Sequence, residues 1–173
     1  MFELLLMRHA KSDWHSQLPD KERPLNERGR RDAIHMGHYL EKQGLTPDRM
    51  VVSAAERTQE TARLLLQSIS VAEENIIIDK SLYLAGMETL CDNIMSYAVE
   101  GQRLLILAHN PGMDYLVSYL ASSVPPLSDS GKLMTTCAIA HFYLDSPDAL
   151  NRSGRGELSK LIRPKDIINK EIN

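Results

Sequence analysis

The sequence predicts an α/β fold, a three-layer sandwich with a mostly parallel central sheet. Three observations point there. Short apolar runs recur along the chain, and most are followed by a stretch with helical spacing. The run Leu104-Leu105-Ile106-Leu107-Ala108 has no polar interruption, as expected of a central parallel strand covered on both faces. Two of the runs end abruptly, one in Arg8-His9 and the other in His109-Asn110. Polar residues at the carboxyl ends of strands mark the edge where α/β sheets bind ligands. The length, 173 residues, suits one domain, 1–173, with a sizeable core.

The elements follow in order. A first strand over 4–7 runs into a polar loop, 11–24, that holds the only tryptophan, Trp14. Asn26 caps a helix that begins near Glu27. Gly29, Ala33, Met36, Gly37 and Leu40 share one face of it, so this helix packs closely on a neighbour. Gly44 and Pro47 end it. A second strand covers 50–53. Ser53-Ala54-Ala55-Glu56 has capping-box spacing and opens a second helix, which puts Arg57 in its first turn. Ala62, Leu65, Leu66 and Ile69 are its apolar face. A third strand covers 76–78, followed by a loop through Tyr83 and Gly86. Met87, Leu90, Cys91, Ile94, Met95 and Ala98 form a helical stripe, which assigns Cys91 to the core. After the strand at 104–108, Asn110 as cap and Pro111 at the first helical position open another helix. Met113, Leu116, Val117 and Leu120 are its buried side. A loop over 122–131, a strand over 137–144, a loop over 146–156 and a strand over 158–162 complete the chain before Pro164. No repeat, low-complexity tract or interdomain linker interrupts it.

Composition excludes several classes. The residues are 43% hydrophobic and 25% charged, ordinary for a soluble globular protein. A net charge of −3 argues against a general nucleic-acid binder. The apolar start, 2–7, is too short for a membrane span and lacks a basic leader. The two cysteines, Cys91 and Cys137, are far apart and have no zinc-site neighbours. They indicate a reducing compartment, and the cytoplasm is the expected location. No carboxylate cluster has metal-ligand spacing and no GxxxxGK[ST] loop is present, so neither a metal nor a nucleotide cofactor is expected.

Three positions share one design. Arg8 and His9 follow a strand, Arg57 lies near the start of the helix after a strand, and His109 sits between a buried strand and the next helix. If those strands are parallel neighbours, all of them reach one edge of the sheet. Two helix N-termini arrive with them, and their free N–H groups favour an anion. Two arginines, two histidines and two helix N-termini make a site for a dianion such as a phosphoryl group.

The blocks that carry these residues resemble the histidine phosphatase superfamily, and within it the SixA-type phosphohistidine phosphatases. Arg8-His9-Ala10 resembles the Arg-His-Gly signature. Arg23-Pro24-Leu25 resembles the segment that follows it, and the block from Ser53 to Ala62 resembles the one with the second arginine. His109-Asn110-Pro111-Gly112 matches the second-histidine block, and 135–140 resembles the late strand of the SixA type. The blocks keep family order and span nearly the whole chain. The resemblance implies that His9 attacks phosphorus and carries a transient phosphohistidine, while Arg8, Arg57 and His109 hold the phosphoryl oxygens. Ser12 and Asn110 are further candidates for substrate binding, each with a plainer reading as a loop or helix cap. The implied partner is a protein carrying phosphohistidine, or else a small phosphorylated substrate.

The chain departs from the family pattern in places. Ala10 stands where glycine is usual, and His15 follows Trp14 where the superfamily's sugar-phosphate mutases have asparagine. Those mutases carry a glutamate general acid in a longer insertion after the second-arginine helix. This chain is compact there, with Asp79 and Glu88 as the nearest carboxylates. Lacking an acid disfavours alkyl phosphate esters, whose alkoxide must be protonated as it leaves. A phosphoramidate, with an imidazole leaving group, is more compatible. A metal-independent phosphohistidine phosphatase is therefore the leading expectation. A phosphatase of small phosphate esters and a non-catalytic phosphoprotein-binding module are the alternatives. His35 and His38 lie three residues apart on a helix without further ligands, and His141 reads as structural.

Overall fold

The computed structural model describes residues 1–171. Six strands form one mixed sheet: β1 (Phe2–Arg8), β2 (Arg49–Ser53), β3 (Ile76–Asp79), β4 (Arg103–Ala108), β5 (Ile139–Leu144) and β6 (Glu157–Ile162). Their spatial order is β3-β2-β4-β1-β5-β6. The pairings from β3 to β1 are parallel, and β5 and β6 add an antiparallel edge. The sheet is thus mostly parallel, as the apolar runs predict.

The helices are α1 (Glu27–Lys42), α2 (Glu56–Leu65), α3 (Met87–Tyr97), α4 (Gly112–Leu120) and α5 (Pro164–Glu171). Side chains alternate across a strand, so each central strand feeds two cores. Leu4, Leu6, Leu104, Ile106 and Ala108 pack with Leu90 and Ile94 of α3 and Leu116 and Leu120 of α4. Leu5, Met7, Leu105 and Leu107 pack with Met36 and Leu40 of α1, Leu65 of α2 and Ile167 of α5. Helix–sheet–helix layering results. Among the described residues no helix is long and apolar enough to cross a membrane.

Several local expectations need correction. Ser53 ends β2, and Ala55, in extended conformation and with no side-chain cap, precedes α2. The Ser53 hydroxyl is used elsewhere, as shown below. Pro111 occupies the cap position of α4, and α4 starts at Gly112. Strand β5 starts at Ile139, because Cys137 adopts a positive φ of 66° that no strand accommodates. Helix α5 has no counterpart in the sequence reading; Ile167 is its buried apolar anchor, too little for a helical period. Trp14 is 68% exposed and stacks under the Arg23 guanidinium, 3.8 Å from the ring centre.

Candidate active site

Strand register assembles the site. β1 and β4 are parallel and in register, with Arg8 opposite Ala108. The residues just past both strands, His9 and His109, therefore emerge side by side. The His9 N–H donates to Ala108 O at 3.2 Å, and the two imidazole centres lie 5.2 Å apart. Val52 pairs with Leu107, which brings Ser53 alongside His109. Cys137 N–H donates to His9 O at 3.0 Å and closes the other side.

Helix α2 delivers the second arginine. The guanidinium of Arg57, in the first turn, reaches both imidazoles. Its Nε donates to His9 Nε2 and its Nη2 to His109 Nδ1, each at 3.4 Å. Thr61, one turn further, locks this placement. Its hydroxyl donates to Arg57 O at 2.7 Å and accepts from Ala10 N–H at 3.1 Å. Ala10 is fully buried in this loop. Its φ is not positive, so the loop tolerates a Cβ where the family uses glycine.

Hydrogen bonds fix both tautomers. His9 Nδ1 lies 2.7 Å from Ala10 O, a group that only accepts, so Nδ1 carries the proton. That leaves Nε2 with its lone pair directed at Arg57. For His109 the assignment is reversed. Guanidinium nitrogens only donate, so Nδ1 accepts, and Nε2–H donates to Ser53 Oγ at 2.7 Å.

Electrostatics agree with neutral rings. Burial pushes His9 down to about 3, assisted by His109, Arg57 and Arg8. Burial also pushes His109 down to about 4, assisted by Arg57 and Arg8. His9 is 8% exposed, and Arg57 and His109 2% each. Arg8 at the end of β1 donates from Nη1 to Met134 O at 2.9 Å, while its buried Nε has no partner. A buried unpaired N–H among cations is a group an oxyanion would satisfy.

The polar loop contributes residues that the sequence did not reveal. A short 3-10 turn (Asp20–Glu22) brings Asp20 onto Arg57. Asp20 O accepts from Nη1 at 2.8 Å, and Oδ2 accepts from Nη2 at 3.2 Å. The Tyr83 hydroxyl also donates to Asp20 Oδ2. That bond, with Arg57 and Arg23, holds the carboxyl below the usual carboxylate range. Tyr83 packs its ring edgewise on His109, with centres 5.7 Å apart. Two glycines permit these approaches. A Cβ on Gly29 would lie 2.1 Å from Lys11 O, and one on Gly112 would lie 2.1 Å from Ala85 O. The loop after His9 thus rests on the backbone of α1, and the Tyr83 loop on that of α4.

The remaining candidates have other partners. Ser12 is buried and accepts from Arg23 Nε at 3.2 Å. Asn110 donates to Met134 O at 3.1 Å and accepts from Asp114 N–H at 3.2 Å, a bracket between α4 and the segment before β5. Asp79 accepts from Ser81 and Tyr97, and these bonds hold it below the usual range. Glu88 is exposed. His141 sits buried in the middle of β5, against Glu3 at 3.1 Å. His38 contacts Ser68 at 3.1 Å. Among the described residues no group of three or more His, Cys, Asp or Glu could hold a metal ion.

Comparison with known proteins places the chain in a family. A family model described as the histidine phosphatase superfamily, branch 1, matches residues 4–83. The chain is also 30% identical over 176 residues to an uncharacterized chloroplastic protein of Arabidopsis thaliana, covering 95% of this chain and 79% of that one. This chain belongs to the histidine phosphatase superfamily. Within the superfamily it is 34% identical over 82 residues to the 2,3-bisphosphoglycerate-dependent phosphoglycerate mutase of Bartonella bacilliformis. That match covers 46% of this chain and 40% of the mutase. The structure of the protein histidine phosphatase SixA complexed with tungstate aligns with a TM-score of 0.78 at 23% identity. The alignment covers 95% of this chain and 99% of SixA, which shows a shared fold.

Proposed function

We propose that residues 1–173 form one histidine phosphatase-like domain that hydrolyses phosphohistidine in a protein substrate without a metal, using His9 as nucleophile. Superfamily membership supports a phosphatase in general. The observation that carries the mechanism is the fixed His9 tautomer: Nδ1–H bound to Ala10 O, with Nε2 unprotonated beside Arg57.

In the proposed first step, Nε2 of His9 attacks phosphorus in line with the bond to the substrate imidazole. The P–N bond breaks, its electron pair stays on the departing ring, and that nitrogen takes a proton from water. A phosphoryl group now rides on His9 Nε2. Water then attacks phosphorus, releasing orthophosphate and returning the lone pair to Nε2. Splitting the hydrolysis into two transfers lowers each barrier. Arg8 and Arg57 counter the charge on the equatorial oxygens, and His109 joins them once the charge of the incoming dianion draws a proton from solvent onto Nδ1.

Asp20 supports the choice of phosphohistidine. Its carboxylate is bonded to Arg57, which reaches both imidazoles, and its hydrogen bonds keep it ionised near neutral pH. An ionised carboxylate has no proton for an alkoxide, whereas an imidazole, the better leaving group, can take its proton from water. Similarity to the phosphoglycerate mutases favours a second reading, a phosphatase of small phosphate esters. The two thiols, Cys91 and Cys137, are unpaired, consistent with the cytoplasm as the proposed location.

The test is phosphate release from a phosphohistidine protein with a chelator present, together with rapid-quench trapping of labelled enzyme. Turnover by the wild type, a label that maps to His9 and a dead His9→Ala variant are expected. Turnover that survives in His9→Ala overturns the assignment. Preferential hydrolysis of sugar or nucleotide esters moves it to the second reading, and phosphate binding with no trapped label makes the chain a binding module.

A further inference from the structure

A cleft of about 630 Å³ opens beside Arg8. Lys11, Arg28, Lys132, Arg163 and Lys165 line it together with Arg8, against the carboxylates of Asp129 and Asp166. This is a cationic wall on a chain whose net charge is −3.

The cations converge from five separate segments: the end of β1, the loop after His9, the first turn of α1, the segment before β5 and the start of α5. Arg163 is the fastener. Its guanidinium donates to Pro126 O at 2.6 Å and to Leu133 O at 2.9 Å, which fixes the segment that carries Lys132. Asp166 accepts from the Arg163 N–H at 3.3 Å and belongs to the same fastening. Among the described residues the ammonium groups of Lys11, Lys132 and Lys165 have no hydrogen-bonding or ionic partner, and Arg28 Nε reaches only Asp32, at 3.7 Å. Like charges that face one concavity repel each other, and an anion placed there relieves the repulsion. Thr135 and Thr136, also in the lining, precede Cys137, whose N–H binds His9 O. The cleft is therefore continuous with the backbone that holds the nucleophile.

Resting on the phosphohistidine reading above, we infer that this cleft binds acidic side chains flanking the phosphorylated histidine of the protein substrate. Lys132 and Lys165 are exposed and Lys11 half-buried; lysine heads are mobile point charges, suited to carboxylates on a protein surface. A second phosphate would call for buried, convergent donors, and the one deeply buried cation here, Arg163, already serves the backbone.

Two phosphohistidine peptides test this, one with Asp and Glu flanks and one with Ser and Gln. At low ionic strength the acidic peptide is expected to show about tenfold higher kcat/KM, an advantage that shrinks as salt screens it. The triple variant Lys11→Gln/Lys132→Gln/Lys165→Gln brings the acidic peptide down to the neutral one. Equal kcat/KM for the two peptides in the wild type, or a preference that survives the triple substitution, overturns the inference. A bisphosphorylated sugar preferred to the acidic peptide, with that preference erased in the triple variant, also overturns it and assigns the cleft to a second phosphate. Anisotropy of a labelled acidic peptide without phosphate separates the cleft from the chemistry. Binding to wild type and loss in the triple variant support the cleft even if neither phosphopeptide is hydrolysed, a result that removes only the proposed function. No binding to the wild type removes the cleft.

Discussion

Lowering the pH should weaken this fold through its two active-site imidazoles. In the folded protein, burial and neighbouring cations hold His9 at about 3 and His109 at about 4. In the unfolded chain both titrate near about 6.5. Below that value the unfolded chain takes up protons that the folded chain refuses. Stability therefore falls as the pH drops from about 6.5, and the loss levels off only near the folded values. One unit of pKa is worth about 1.4 kcal/mol, so at about pH 5 each ring has lost about 2 kcal/mol and the pair about 4. A domain stable by ~5–15 kcal/mol would lose much of its margin. Other groups contribute as well. Burial lowers His141, which adds to the loss, and burial raises Asp32, which opposes it. The decisive comparison is therefore with His9→Gln/His109→Gln. Urea titrations followed by circular dichroism at about pH 7.5 and about pH 5 give both stability differences. The variant should lose about 4 kcal/mol less than the wild type over that interval. Equal losses would refute the reasoning, since they would mean that the two rings are protonated as readily when folded as when unfolded.

Three further outcomes are expected. Asp20→Asn removes the carboxylate charge from Arg57, so orthophosphate should bind several-fold tighter, in line with ~1 kcal/mol for a half-exposed ion pair; weaker binding by calorimetry would mean that Asp20 holds Arg57 in place and does not compete with phosphate. Gly29→Ala sets a Cβ 2.1 Å from Lys11 O. It should cost ~1–3 kcal/mol in a denaturant titration and displace the loop after His9, and a neutral effect would contradict that close approach. Thr61→Val leaves Ala10 N–H unpaired, so a loss of ~1–3 kcal/mol with a lower kcat is expected. Unchanged stability and rate would remove Thr61 as the tie between nucleophile and arginine.

The legible parts were those written in local pattern. Arg8, His9 and His109 stand where apolar runs break, and parallel register carries strand ends to one edge whatever the loops do. Arg57 could be placed in the first turn of α2 even though Ser53 was misread as its cap. That misreading has a physical source: Ser-x-x-Glu spacing is local, whereas the bond from His109 that takes the Ser53 hydroxyl comes from another strand. Asp20 and Tyr83 left no trace for the same reason. Each lies in irregular backbone, and its place at Arg57 or His109 depends on close packing at Gly29 and Gly112. Those two glycines were readable only as small residues, one on a helix face and one beside a proline. The sequence also placed Cys91 in the core, and it is half-buried with its thiol pushed up by burial.

The position of β1 bears on how the protein is made. This strand is made before its sheet partners, β4 and β5, whose Leu104 and Phe142 both lie against Leu4. Until those partners have been translated, the greasy stretch from Leu4 to Met7 lacks its neighbours in the sheet and is open to a chaperone or to aggregation. Insertion of that strand between two late-arriving ones also creates the junction of His9 with His109. The proposed activity should consequently appear only once β4 and β5 have been made, and nascent chains that stop short of them should be inert.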